Sequence, residues 1–131
     1  FEKYCMGPLA DYANAINAAG VISVYHMCGK LGALLGMIET LPVNVIEAYT
    51  TSPVGNVSLA QGRVEMPSKC LIGGTNAALW LRPAEEIIAE VAADVKACPD
   101  RRRVVLTSAG VLPKAVGFDK AKQVVEAFKR L

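Results

Sequence analysis

Short β-branched runs alternate with helix-spaced apolar positions along most of this chain. Val21-Ile22-Ser23-Val24-Tyr25-His26, Val43-Asn44-Val45-Ile46-Glu47-Ala48-Tyr49, Cys70-Leu71-Ile72-Gly73-Gly74 and Val104-Val105-Leu106-Thr107 read as four strands. Leu31, Leu34, Leu35, Ile38 and Leu41 recur at helical spacing. So do Ile87, Ile88, Val91 and Val95, after Pro83 and the first-turn glutamates Glu85 and Glu86. Val124, Val125, Phe128 and Leu131 form a last apolar stripe. An opening helix is expected from about Pro8 to Ala18, ending at Gly20. The stretch from Ser52 to Lys69 carries Pro53, Gly55, Gly62 and Pro67, and reads as a loop, a short helix near Ser58 to Val64, and a turn.

The order is thus one helix followed by four βα units. The strands show little apolar–polar alternation, as expected when both faces are covered. Right-handed crossovers would make them parallel, giving a small open sheet or half of an eight-stranded barrel.

The chain has 131 residues, which sets one domain over 1–131. Apolar residues are 53 %, charged residues 20 %, and the net charge is +2, which excludes a disordered chain and gives no charge-based case for a nucleic-acid partner. No apolar run approaches the ~18 residues needed to span a bilayer, so no membrane partner is expected. The start at Phe1, without a recognisable leader, reads as a cut inside a longer chain. Four cysteines, Cys5, Cys28, Cys70 and Cys98, form no CxxC pair and suit a reducing, cytoplasmic location. Cys5, Cys70 and Cys98 read as structural; Cys70 and Cys98 fall at the non-functional end of the strands.

In parallel α/β folds, sites lie beyond the carboxyl ends of the strands. Those ends read His26-Met27-Cys28-Gly29, then Glu47 leading to Tyr49-Thr50-Thr51-Ser52, then Gly73-Gly74-Thr75-Asn76, then Thr107-Ser108-Ala109-Gly110. His26 and Cys28 are two apart, so on an extended strand they point the same way. An imidazole and a thiolate on one face suit zinc, and Glu47 on the neighbouring strand is the candidate oxygen ligand. The bland alternative is that such a pair consists of ordinary satisfied loop groups. Gly73-Gly74 reads either as a close backbone approach to an anion or as a tight turn. Arg101 to Arg103 read as a solvated turn, and Trp80 as packing within the element that follows.

These strand ends resemble those of the uroporphyrinogen decarboxylase superfamily, over the whole chain from Phe1 to Leu131. The resemblance is carried by Phe1-Glu2-Lys3-Tyr4, His26-Met27-Cys28-Gly29, Glu47-Ala48-Tyr49-Thr50, Ile72-Gly73-Gly74-Thr75, Pro83-Ala84-Glu85-Glu86-Ile87, and Thr107-Ser108-Ala109-Gly110 before Pro113. It implies an α/β fold whose parallel βα units form the C-terminal half, strands five to eight, of a TIM (β/α)₈ barrel. It also implies two chemistries. One is metal-free decarboxylation of a porphyrinogen; the other is zinc-dependent methyl transfer from a methylated corrinoid to a thiol. The methyltransferase branch carries a His-x-Cys at the end of strand five, which His26 and Cys28 match. A related barrel, the cobalamin-independent methionine synthases, adds a glutamate ligand on strand six, which Glu47 matches. The further cysteine that the methyltransferases place after strand eight is Ala109 here, beside Ser108. The histidine that decarboxylases carry on strand eight has no counterpart, because Gly110 is followed by Val111-Leu112.

The expected activity is therefore methyl transfer in a complete barrel, with zinc and a methylated corrinoid as cofactors. The expected metal ligands are His26, Cys28 and Glu47, and the catalytic residues Glu47 and Ser108. Thr75, Asn76 and Thr107, with Ser108, are expected to line the substrate pocket. The expected partners are the missing N-terminal half-barrel or a second copy, together with a corrinoid protein. The alternatives are a metal-free decarboxylase, for which Lys30 and Lys114 are the only local cationic candidates, and an inactive half-barrel fragment.

Overall fold

The computed structural model describes residues 1–131. Helix α1 (Glu2–Ala18) is followed by β1 (Val24–His26), α2 (Leu35–Thr40), β2 (Val45–Thr50), α3 (Leu59–Glu65), β3 (Cys70–Thr75), a 3-10 turn (Leu79–Leu81), α4 (Ala84–Ala97), β4 (Val104–Leu106) and α5 (Phe118–Phe128). The strands form one parallel sheet in the order β1-β2-β3-β4. Each connection carries a helix, as parallel pairing demands.

The two faces of the sheet differ. Ile46 and Leu71 are paired and fully buried, and Tyr25, Val104 and Leu106 pack against the same core. That core is completed by Leu35 and Ile38 of α2, Leu59 of α3, Ile87 and Val91 of α4, and Val124 of α5. The alternate positions, His26, Glu47, Ile72 and Val105, lie in one register row on the other face. No helix covers that row, and Val105 is 47 % exposed. One helical layer on one face of a parallel sheet, with the second face bare, is the geometry of half a (β/α)₈ barrel seen from its interior.

The sheet edges are shorter than the sequence pattern predicts. The expected first strand, Val21 to His26, is paired only from Val24, and Val21 and Ile22 stay exposed. Ser23 instead anchors the entry: its N–H and Oγ donate to Asn44 Oδ1 at 2.9 and 3.0 Å. The fourth strand ends at Leu106, one residue early. Each edge strand has one neighbour rather than two, so its backbone is held from one side only, as by the Thr107 N–H donating to the Gly73 carbonyl at 2.8 Å.

The helices shift in register as well. The opening helix begins at Glu2, with Pro8 inside it, rather than at Pro8. The missing N–H of Pro8 removes one helical bond, but the turn before it is held by the Cys5 N–H donating to the Phe1 carbonyl at 2.8 Å. Met6 and Leu9, on either side of the proline, pack on the core. Leu31 is buried in the turn ahead of α2, which spans only Leu35–Thr40. Ser58 caps α3, its Oγ accepting from the Gln61 N–H. No helix is long and apolar enough to cross a membrane.

Candidate functional site

β1 and β2 run in register, with His26 opposite Glu47. In-register neighbours of a parallel pair point to the same face, so the two side chains meet on the bare face near the strand ends. His26 Nδ1 lies 2.5 Å from Glu47 Oε2. A carboxylate only accepts, so Nδ1 is the donor of this contact, and Nε2 is the ring nitrogen not engaged by Glu47. Both groups are open to solvent, His26 the more so, with 63 % of its side chain exposed against 34 % for Glu47.

Cys28 follows two residues after His26, is exposed, and is a free thiol. It sits beyond the last paired residue of β1, ahead of Gly29, whose φ is 94°. The donor set of one imidazole, one thiolate and one carboxylate suits zinc in kind. The structure brings His26 and Glu47 into contact, and no three His, Cys, Asp or Glu side chains converge closely enough to hold a metal ion as the chain stands.

The other candidates lie at the same end of the sheet, but their side chains are engaged within the fold. Thr75 and Asn76 are fully buried. Thr75 Oγ1 donates to the Thr107 carbonyl at 2.7 Å and accepts from Trp80 Nε1 at 3.0 Å. Asn76 Nδ2 donates to the Ser52 carbonyl at 2.8 Å, and its Oδ1 accepts from the Leu79 N–H at 2.9 Å. These bonds tie together the exits of β2, β3 and β4. Thr107 Oγ1 accepts from the Ala109 N–H at 3.2 Å, and Ser108 Oγ donates to the Gly110 carbonyl. Ala109, where a third zinc thiolate would stand, is buried with φ 51°.

A cavity of about 400 Å³ opens between α3 and α4, on the helical side of the sheet. It is lined by Thr51, Ser52, Gln61, Gly74, Glu90 and Asp94 among others, and not by His26 or Glu47. Asp94 is already engaged there, its carboxylate accepting from the Leu59 and Ala60 N–H groups at 2.7 and 3.2 Å.

The remaining cysteines lie away from the strand ends. Cys70 opens β3, where burial pushes its thiol up. Cys98 closes α4, buried, with Sγ 3.4 Å from the Asp94 carbonyl. Cys5 lies in α1 and is half-buried. Lys30 and Lys114 are both exposed.

Two further features escaped the sequence pattern. Arg63 is buried, and its guanidinium donates to the carbonyls of Met66, Lys69, Pro67 and Asp100, organising the entry to β3. Ala48, next to Glu47, has φ 59°, a left-handed backbone in the middle of a strand. The only local cue to it is Gly73-Gly74 in the neighbouring strand.

A search of curated proteins returned no match. The family model described as uroporphyrinogen decarboxylase (URO-D) matches residues 1–131, the whole chain. A bare-faced parallel half-barrel whose strand ends carry a His–Glu pair is thus a segment of known lineage: the chain belongs to the uroporphyrinogen decarboxylase family.

Proposed function

We propose that the chain supplies the strand-five to strand-eight half of a barrel that transfers a methyl group from a methylated corrinoid to a thiol, with zinc held by His26 Nε2 and Cys28 and with Glu47 orienting the imidazole through Nδ1 rather than serving as a third ligand. The observation that carries this reading is the His26–Glu47 contact on the uncovered face. A carboxylate on Nδ1 fixes the ring tautomer and orientation, which is how metal-binding histidines are prepared. Bound zinc would supply Lewis acidity and keep a substrate thiol as its thiolate near neutral pH. Glu47 holds the proton at Nδ1 and so keeps Nε2 available. Cys28, exposed on its turn, provides the sulfur donor. Thr75 and Asn76 brace the strand exits around the site, and Thr107 and Ser108 shape the exit of β4. In the overall reaction a carbon–sulfur bond forms as the cobalt–carbon bond breaks, and the bonding pair stays on cobalt.

The test is metal content of protein purified without chelator, followed by assay with methylcobalamin and a thiol. About one zinc per chain is expected, lost in His26→Ala/Cys28→Ala and much reduced in Cys28→Ala. A chain without zinc, or a double variant that keeps it, would overturn the assignment. The first of those results would turn attention to metal-free decarboxylation, read out as coproporphyrinogen formation.

A further inference from the structure

We infer that two offset bulges, at Ala48 in β2 and Gly74 in β3, clear the bare face of the sheet beside Glu47 for the ligand of the His26–Glu47 site. The inference rests on the site assignment proposed above. Pairing of β2 with β3 sets Ile46 against Leu71 and Glu47 against Ile72. It then slips, so that Tyr49 faces Gly73, and recovers where Thr50 faces Thr75. Ala48 is the extra residue on β2 and Gly74 the extra residue on β3.

Between the slips the faces of β2 are exchanged. Residues two apart on a strand share a face, so a regular β2 would place Tyr49 beside Glu47. Tyr49 instead joins Ile46, three positions back, in the helix-side core. Its hydroxyl donates to the Ser58 carbonyl at 3.0 Å. Its ring lies against Gly62, where an added Cβ would come within 2.5 Å of the phenol oxygen.

The backbone is shaped around this exchange. Ala48 takes φ 59° while fully buried. Gly73, at φ 148°, has no room for a side chain: a Cβ would stand 2.4 Å from the Tyr49 carbonyl oxygen. Gly74, at φ 80°, would bring a Cβ to 2.7 Å from Leu59 Cδ1. The glycine pair therefore accommodates the bulge, and needs no anion to explain it. A phenol left on the bare face would fill the space next to Glu47 toward the strand exits. With the ring turned to the helices, the face beside Glu47 carries no aromatic ring. Ala48, Gly73 and Gly74 are positioning residues.

The test begins with nuclear Overhauser contacts of the metal-free chain. The Tyr49 ring is expected to contact Gly62 and not His26, the single histidine; ring contacts to His26 would overturn the inference. Ala48→Val, stiff and β-branched, disfavours positive φ. It is expected to move the ring toward Glu47 and to weaken 2-mercaptoethanol binding by the zinc-loaded chain roughly tenfold. Ala48→Gly accepts the same φ and is expected to match the wild type in both measurements. A folded Ala48→Val chain with unchanged ring contacts and thiol affinity would overturn the inference. Should Ala48→Val fail to fold, the wild-type ring contacts and the thiol affinity of Ala48→Gly decide, a weakened affinity counting against. A wild-type chain that takes up no zinc sinks the proposed function, and the ring contacts of the metal-free chain then decide the bulge alone.

Discussion

Tyr49 is fully buried, and burial together with the nearby Asp94 and Glu65 charges pushes its phenol well above the ordinary value of 10.0. The folded chain therefore holds the phenol proton where the unfolded chain releases it. Stability from this group is complete below pH 10.0 and is lost as pH rises beyond it, at a slope of up to about 1.4 kcal/mol per pH unit. Tyr49→Phe should lie about 1 kcal/mol below the wild type at pH 7, because the Ser58 carbonyl loses its donor. The gap should close and then reverse as the solution is made alkaline. Urea denaturation of both chains across pH 7 to 11 measures this, and a pH-independent gap would contradict it. The His26–Glu47 pair belongs to the same scale. It was legible in the sequence because parallel register links residues at the same strand height, and the unit spacing placed both residues at the exits. The engagement of Thr75 and Asn76 was not legible. Their partners, Thr107, Ser52, Trp80 and Leu79, sit on other elements, and polarity alone does not say whether a hydroxyl or amide meets substrate or the fold.

At the scale of elements, α3 and α4 are coupled by one carboxylate. Asp94 of α4 accepts from the first two N–H groups of α3, and Ser58 takes the third. A short helix has little stability of its own, so this cap matters more than its size suggests. Asp94→Ala should lower the unfolding free energy by roughly 1–2 kcal/mol, seen as a lower urea midpoint with an unchanged slope. The expected short helix near Ser58 to Val64 agrees with α3 within one residue at each end, and the Ser58 cap seen in the structure explains where it starts. The expected start of α1 at Pro8 gives way to Glu2 for the converse reason. Proline is favoured in a first turn, but Met6 and Leu9 extend the apolar face across it, and packing outweighs the one lost bond. The first strand is shorter than its composition predicts because Val21 and Ile22 have no neighbour to pair with.

At the scale of the molecule, β1 and β4 each present an open ladder, and Val24 and Val105 expose apolar surface on the bare face. Neither edge carries a proline or a covering helix, the usual protection. The isolated chain is therefore expected to associate, by strand addition at these edges or with the complementary half-barrel. Sedimentation over a range of concentrations should show species above one chain mass, and Val105→Lys should shift them toward the single chain. A concentration-independent single chain would contradict this.

The sequence by itself determined the alternation of strands and helices, their parallel order, the family, and the row of exits on which His26, Cys28 and Glu47 stand. These follow from periodicity, turn residues and local spacing, which act over a few residues. Tertiary structure decided which face of the sheet is bare, where the edge strands end, and which polar groups at the exits are already engaged. It alone set the exchange of faces at Ala48, because a bulge exists only against a neighbour: Gly73 of β3 leaves room for the Tyr49 backbone that follows the left-handed alanine of β2.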